Sequence, residues 1–154
     1  MSAVADVSAA SRGAGRSVVA ARIGLVLVGL AQAEVAVWGL VAPHAFFRSF
    51  PGAGHSWVAA LGPYNEHLLR DYAASELGLA VLMIGAAVWF SRRVVLLAGA
   101  AFLAATMPHF AYHLTTTRSF STGDDVGSLG AFVLELVLVV VAMVIASRSR
   151  ERSS

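Results

Sequence analysis

Two histidines, His109 and His113, stand four residues apart in the stretch TMPHFAYHLTTT, residues 106–117. On a helix this spacing puts both imidazoles on one face, the arrangement that zinc-binding helices use. Three carboxylates, Glu34, Glu76 and Glu135, lie inside three other long apolar runs. A charged side chain near the centre of a membrane helix costs roughly 2.5–3.5 kcal/mol on insertion scales. Such residues are therefore expected to face the inside of a helical bundle and to mark a functional site. Three kinds of chemistry suit the set. His109, His113 and Glu76 would ligate a transition metal (zinc, copper or iron), with Glu34 and Glu135 in support. The same groups would pass protons to the external face, beside a quinone. Or they would pair across helices and only fix register. An HxxxH pair alone does not choose, and the Glu-x-x-His spacing of di-iron bundles is absent. No nucleophile–base arrangement is visible, so the sequence leaves open whether the chain is an enzyme.

A second dense stretch is GPYNEHLLRDYAASELG, residues 62–78. Asn65 is placed to cap a helix whose first turns carry Glu66 and Asp71, where negative charge is favoured. Glu66 with Arg70, and His67 with Asp71, are spaced to pair one turn apart. These four residues read either as a well-capped helix entry or as the mouth of the site. At 100° per residue Glu76 lies about 180° around the helix from His67 and about 140° from Asp71. Only one set can face the neighbouring helix, and the deeper Glu76 is the one in greater need of a partner.

These residues sit on elements that composition makes plain. Of the 154 residues 58% are hydrophobic and 13% charged, with mean hydropathy +0.74; a soluble domain is nearer 25% charged. The expectation is an all-α integral membrane protein, a bundle of four membrane-spanning helices at about 22–42, 66–90, 93–115 and 127–147. Each run is close to the roughly 20 residues needed to cross the hydrocarbon core. The first run is longer than the apolar core of a signal peptide, which favours an uncleaved helix. Residues 1–17 read as a disordered tail, 43–65 as a loop with an interfacial segment in PHAFFRSF, TRSFSTGDDVGS at 117–128 as a polar mobile loop, and 148–154 as a basic tail. With no cysteine, disulfides and thiolate-ligated clusters are excluded.

Every basic residue is arginine. Arg12, Arg16, Arg22, Arg92, Arg93, Arg148, Arg150 and Arg152 fall at one end of the runs; Arg48, Arg70 and Arg118 fall at the other. By the positive-inside rule both termini face the cytoplasm of a cell whose inner membrane the chain crosses. All five histidines then lie in the external half. No basic stripe with interleaved aromatics appears, so nucleic acid is not an expected partner. The lipid bilayer is, and a membrane partner or a second copy is compatible with the small residues on the helices.

The core, about residues 20–147, resembles the DoxX-like family of small four-helix membrane proteins. The resemblance is carried by RIGLVLVGLAQAEVAVWGLVAP in the first run, by ASELGLAVLMIGAAVW with Glu76 in the second, and by a third run that ends in histidine. It implies the four-helix fold and tilts the function towards redox accessory roles, since some relatives are linked to thiosulfate:quinone oxidoreduction and others to oxidative-stress complexes. The expected function is a redox- or metal-associated accessory protein. The alternatives are a proton-linked or small-solute transporter and a structural subunit of a membrane complex.

Overall fold

A computed structural model describes residues 2–116 and 120–148, with side chains from residue 13 onward. Arg118, Arg150, Arg152 and the end of the basic tail lie outside the described residues. The fold is all-helical: α1 Ser2–Val41, α2 Pro43–Ser49, a 3-10 turn Ala59–Leu61, α3 Glu66–Val88, α4 Arg92–Thr115 and α5 Thr122–Arg148. Among the described residues there is no strand. Within α1 the segment Gly13–Val41, and α3, α4 and α5 over their full lengths, are long and apolar enough to cross a membrane.

Each long helix buries one stripe with seven-residue spacing. In α1 it runs through Ala21, Leu25, Val28, Gln32 and Ala36; in α3 through Leu69, Ala73, Glu76, Ala80 and Met83; in α4 through Val95, Phe102, Thr106 and His113. Positions three and four apart share a helix face, so these stripes form the seams of a bundle. α3 packs between α1 and α4, α5 packs against α4, and α1 closes the ring against α5. The half away from α2 is filled by Leu25, Val28, Met83, Val95, Phe102 and Val139, each at 1% exposure or less. At that end the Arg22 guanidinium lies 5.6 Å from the centre of the Phe90 ring, tying the start of the α1 span to the end of α3.

Glycine lets α1 and α3 approach closely. A Cβ on Gly39 would sit 2.7 Å from the Ala73 Cβ, and one on Gly29 would meet Ile84 at 2.6 Å. Helix ends follow local chemistry. The Asn65 side chain accepts the Leu68 N–H at 3.1 Å and Ser91 accepts that of Val94 at 3.3 Å, satisfying donors that the first turn leaves open.

Two expectations about the elements change. Of the expected tail, residues 2–17 are helical: α1 runs back to Ser2, because alanine-rich sequence continues a helix at little cost. The loop read over 117–128 is shortened at its far end, since α5 starts at Thr122. Ser121 starts it, accepting the Asp124 N–H at 3.2 Å and donating to the Asp124 carboxylate at 2.7 Å. The segment PHAFFRSF, expected at the interface, is helical. It forms α2, with Phe46 only 2% exposed, and folds over the bundle end.

Candidate functional site

At the α2 end the bundle opens into a chamber of about 570 Å³. Its size follows from the sequence. Three of the four long helices here bring polar side chains to the seam, at Gln32 (α1), His109 and His113 (α4) and Glu135 (α5), and these cannot interdigitate as an apolar core does. The long segment between α1 and α3 then roofs the space with aromatic side chains. Phe46, Phe47, Phe50, Trp57 and Leu61 form the roof, while Leu68, Leu69, Ala131 and Phe132 form walls.

The roof is knitted by ring contacts. Trp38 meets Phe46 edge-on at 5.6 Å, Phe46 lies 4.7 Å from Phe50, and Phe50 meets Trp57 at 6.0 Å. One carboxylate clasps this segment to the start of α5. Asp124 Oδ1 accepts from Trp57 Nε1 at 2.6 Å and lies 2.6 Å from His55 Nδ1. A Cβ on Gly127, one turn further along α5, would lie 3.2 Å from the Trp57 ring.

The polar floor is where the sequence-marked residues meet. His109 and His113 do share a face, and their Nε2 atoms are 3.1 Å apart, so one imidazole donates and the other accepts. Aromatic rings enclose them. Tyr72 meets His109 edge-on at 5.6 Å, Phe132 stands 5.0 Å from His109 and 5.2 Å from His113, and Phe120 stacks on His113 with planes 10° apart. His113 Nδ1 is buried and has no hydrogen-bond partner among the described residues. Gln32 Nε2 donates to Glu135 Oε2 at 3.0 Å. Below the floor a second space of about 40 Å³ is bounded by Gln32, Tyr72, Glu76, Thr106, His109 and Glu135, room for one or a few waters. Glu76, 8% exposed, reaches this lower space and not the chamber itself.

Two groups of expected site residues are elsewhere. Glu34 is exposed on the outer side of α1 and lines neither space. The inward position belongs to Gln32, two residues earlier, which sequence reasoning passed over because it carries no charge. The stripe Leu25, Val28, Gln32, Ala36 was the available signal, since Glu34 falls about 200° from Gln32 around the helix. The proposed mouth is also displaced. Arg70 bonds Glu66 at 2.9 Å and the Leu40 carbonyl at 2.6 Å, closing the end of α1. His67 and Asp71 approach to 3.5 Å on the exposed face of α3. None of these four lines the chamber; Asn65, Leu68 and Leu69 do.

The histidine pair offers two nitrogens to a metal. Two ligands at about 2.0–2.1 Å in a tetrahedral shell lie roughly 3.3 Å apart, close to the 3.1 Å seen. Among the described residues no group of three or more His, Cys, Asp or Glu is placed to hold a metal ion. What the arrangement does offer is an apolar chamber with few converging polar groups, the general form of a small-molecule site. No family model, curated protein or solved structure matches the chain.

Proposed function

We propose that this protein binds a lipid-soluble small molecule with an oxygen-bearing aromatic head, of the quinone class, and serves as a redox-associated accessory in the inner membrane. The observation that carries the reading is the buried His113 Nδ1, without a hydrogen-bond partner among the described residues, at the edge of an aromatic-lined chamber. A buried polar atom left without a partner costs about 1–3 kcal/mol, and a ligand carbonyl or hydroxyl removes that cost. Ring faces from Phe132 and Phe50 suit a flat head group, while Leu68, Leu69 and Val58 suit its apolar tail. The DoxX-like stretches of α1 and α3 point to the same redox setting. With both termini in the cytoplasm, as the arginines require, the chamber opens in the outer half of the bilayer.

The test is a titration of the purified protein in detergent with a short-tailed quinone, read by quenching of tryptophan fluorescence, since Trp57 lines the chamber. Saturable quenching that weakens about tenfold in His113→Leu supports the reading. Quenching that is linear in quinone, or equal in the variant, overturns it. Metal content of the same preparation decides the competing use of the pair: stoichiometric zinc, copper or iron lost in the His109→Ala, His113→Ala double variant makes the imidazoles ligands instead.

A further inference from the structure

The face of α1 turned away from the bundle carries a second seam. Ile23, Leu27, Leu30, Glu34, Val37 and Val41 follow one another at intervals of four, three, four, three and four residues. All six are exposed, the five apolar ones at 54% or more. Apolar residues there need no explanation, because lipid covers them. Glu34 does. It stands seven residues before the end of α1, about 10 Å along the axis, and among the described residues it has no hydrogen-bond or ion-pair partner. Carboxyl groups at that depth almost always face a bundle interior or a partner.

We propose that this seam is the interface with a second copy of the chain, with Glu34 of each protomer meeting across a two-fold axis. The bilayer argues for this occupant. Two copies inserted in the same orientation pair by a two-fold axis along the membrane normal, which brings equal depths together. A residue on the seam then meets its own counterpart. A protonated carboxyl is both donor and acceptor, so it is complementary to itself, and one such residue per chain is enough. The alternating spacing of three and four is that of left-handed helix pairs crossing at about 20°. The interface lies on the side of α1 away from the chamber, and is independent of what the chamber binds.

The absence of cysteine makes the test direct. Leu30→Cys and Val37→Cys on the seam, and Val81→Cys and Leu97→Cys on the equally exposed faces of α3 and α4, are oxidised in native membranes. The expected result is a disulfide-linked dimer of this chain from the two seam positions and not from the other two. Adding Glu34→Leu to Leu30→Cys lowers its yield about tenfold, in line with the loss of an interhelical hydrogen bond, while Glu34→Gln, whose amide also donates and accepts, retains it. Glu34 has no hydrogen-bond or ion-pair partner among the described residues, so the leucine variant keeps its thermal stability in detergent. Equal crosslinking at all four positions, a linked product containing a different protein, or an unchanged yield with Glu34→Leu overturns the proposal. The first comparison decides even without the Glu34 variants.

Discussion

Gln32 and Glu135 show how the chamber floor depends on pairs rather than on single groups. The amide and the carboxyl meet at 3.0 Å between α1 and α5, where neither has water in bulk to turn to. Removing one partner strands the other, whereas removing both leaves an apolar contact. Gln32→Leu alone is expected to cost about 1–3 kcal/mol, and the double variant Gln32→Leu, Glu135→Leu less than the sum of the single changes. Thermal unfolding of the four proteins in one detergent measures the coupling. Additive losses would show that the pair does not act as a unit. Glu76 belongs to the same scale. Tyr72, one turn earlier on α3, borders the same lower space, which lets water or His109 complete the surroundings of the Glu76 carboxyl.

Among the elements, α1 and α3 form the closest pair, and the segment between them forms the roof. Because a Cβ on Gly39 would strike Ala73, Gly39→Leu forces the helices apart. Overpacking of this kind costs typically about 1–3 kcal/mol, seen as a lowered melting temperature in detergent. Gly130, with nothing near its Cβ direction, is the matched control: Gly130→Ala raises stability slightly through helix propensity. The roof depends on Asp124, which holds Trp57 and His55 together against α5. Asp124→Ala frees the aromatic edge over the chamber. Stopped-flow quenching is expected to show quinone entering and leaving several-fold faster in this variant, with equilibrium affinity changed far less. An unchanged exchange rate would mean that entry is elsewhere, between the helices.

For the molecule as a whole, asymmetry between its two ends is the governing feature. One end is packed with Leu25, Met83, Val95 and Phe102; the other is hollow and aromatic. By the positive-inside rule the arginine distribution predicts that the hollow end faces outward. A reporter active only in the cytoplasm is expected to work when fused after the last residue and to fail when inserted at Gly54, in the turn of the roof. The opposite pattern would turn the chamber towards the cytoplasm and remove the argument from external access.

Much of this was written in the sequence. Four apolar runs, too long and too poorly charged for a soluble domain, define four spanning helices, because a bilayer leaves a chain no other way to satisfy its backbone. The Asn65 cap and the pairings of Glu66 with Arg70 and His67 with Asp71 were equally legible, since each depends on neighbours within one turn. So was the common face of His109 and His113. Other features were decided only by packing. Charge alone could not tell which of Gln32 and Glu34 turns inward, because that depends on which face of α1 meets α3 and α5. The roof was hidden too: α2 gains its place from Phe46 and Phe50 meeting Trp38 and Trp57, contacts that cross the loop. Whether four buried or half-buried polar side chains make a filled seam or a hollow one is a matter of volume between helices. The order of residues along one chain does not encode that volume until the bundle has closed.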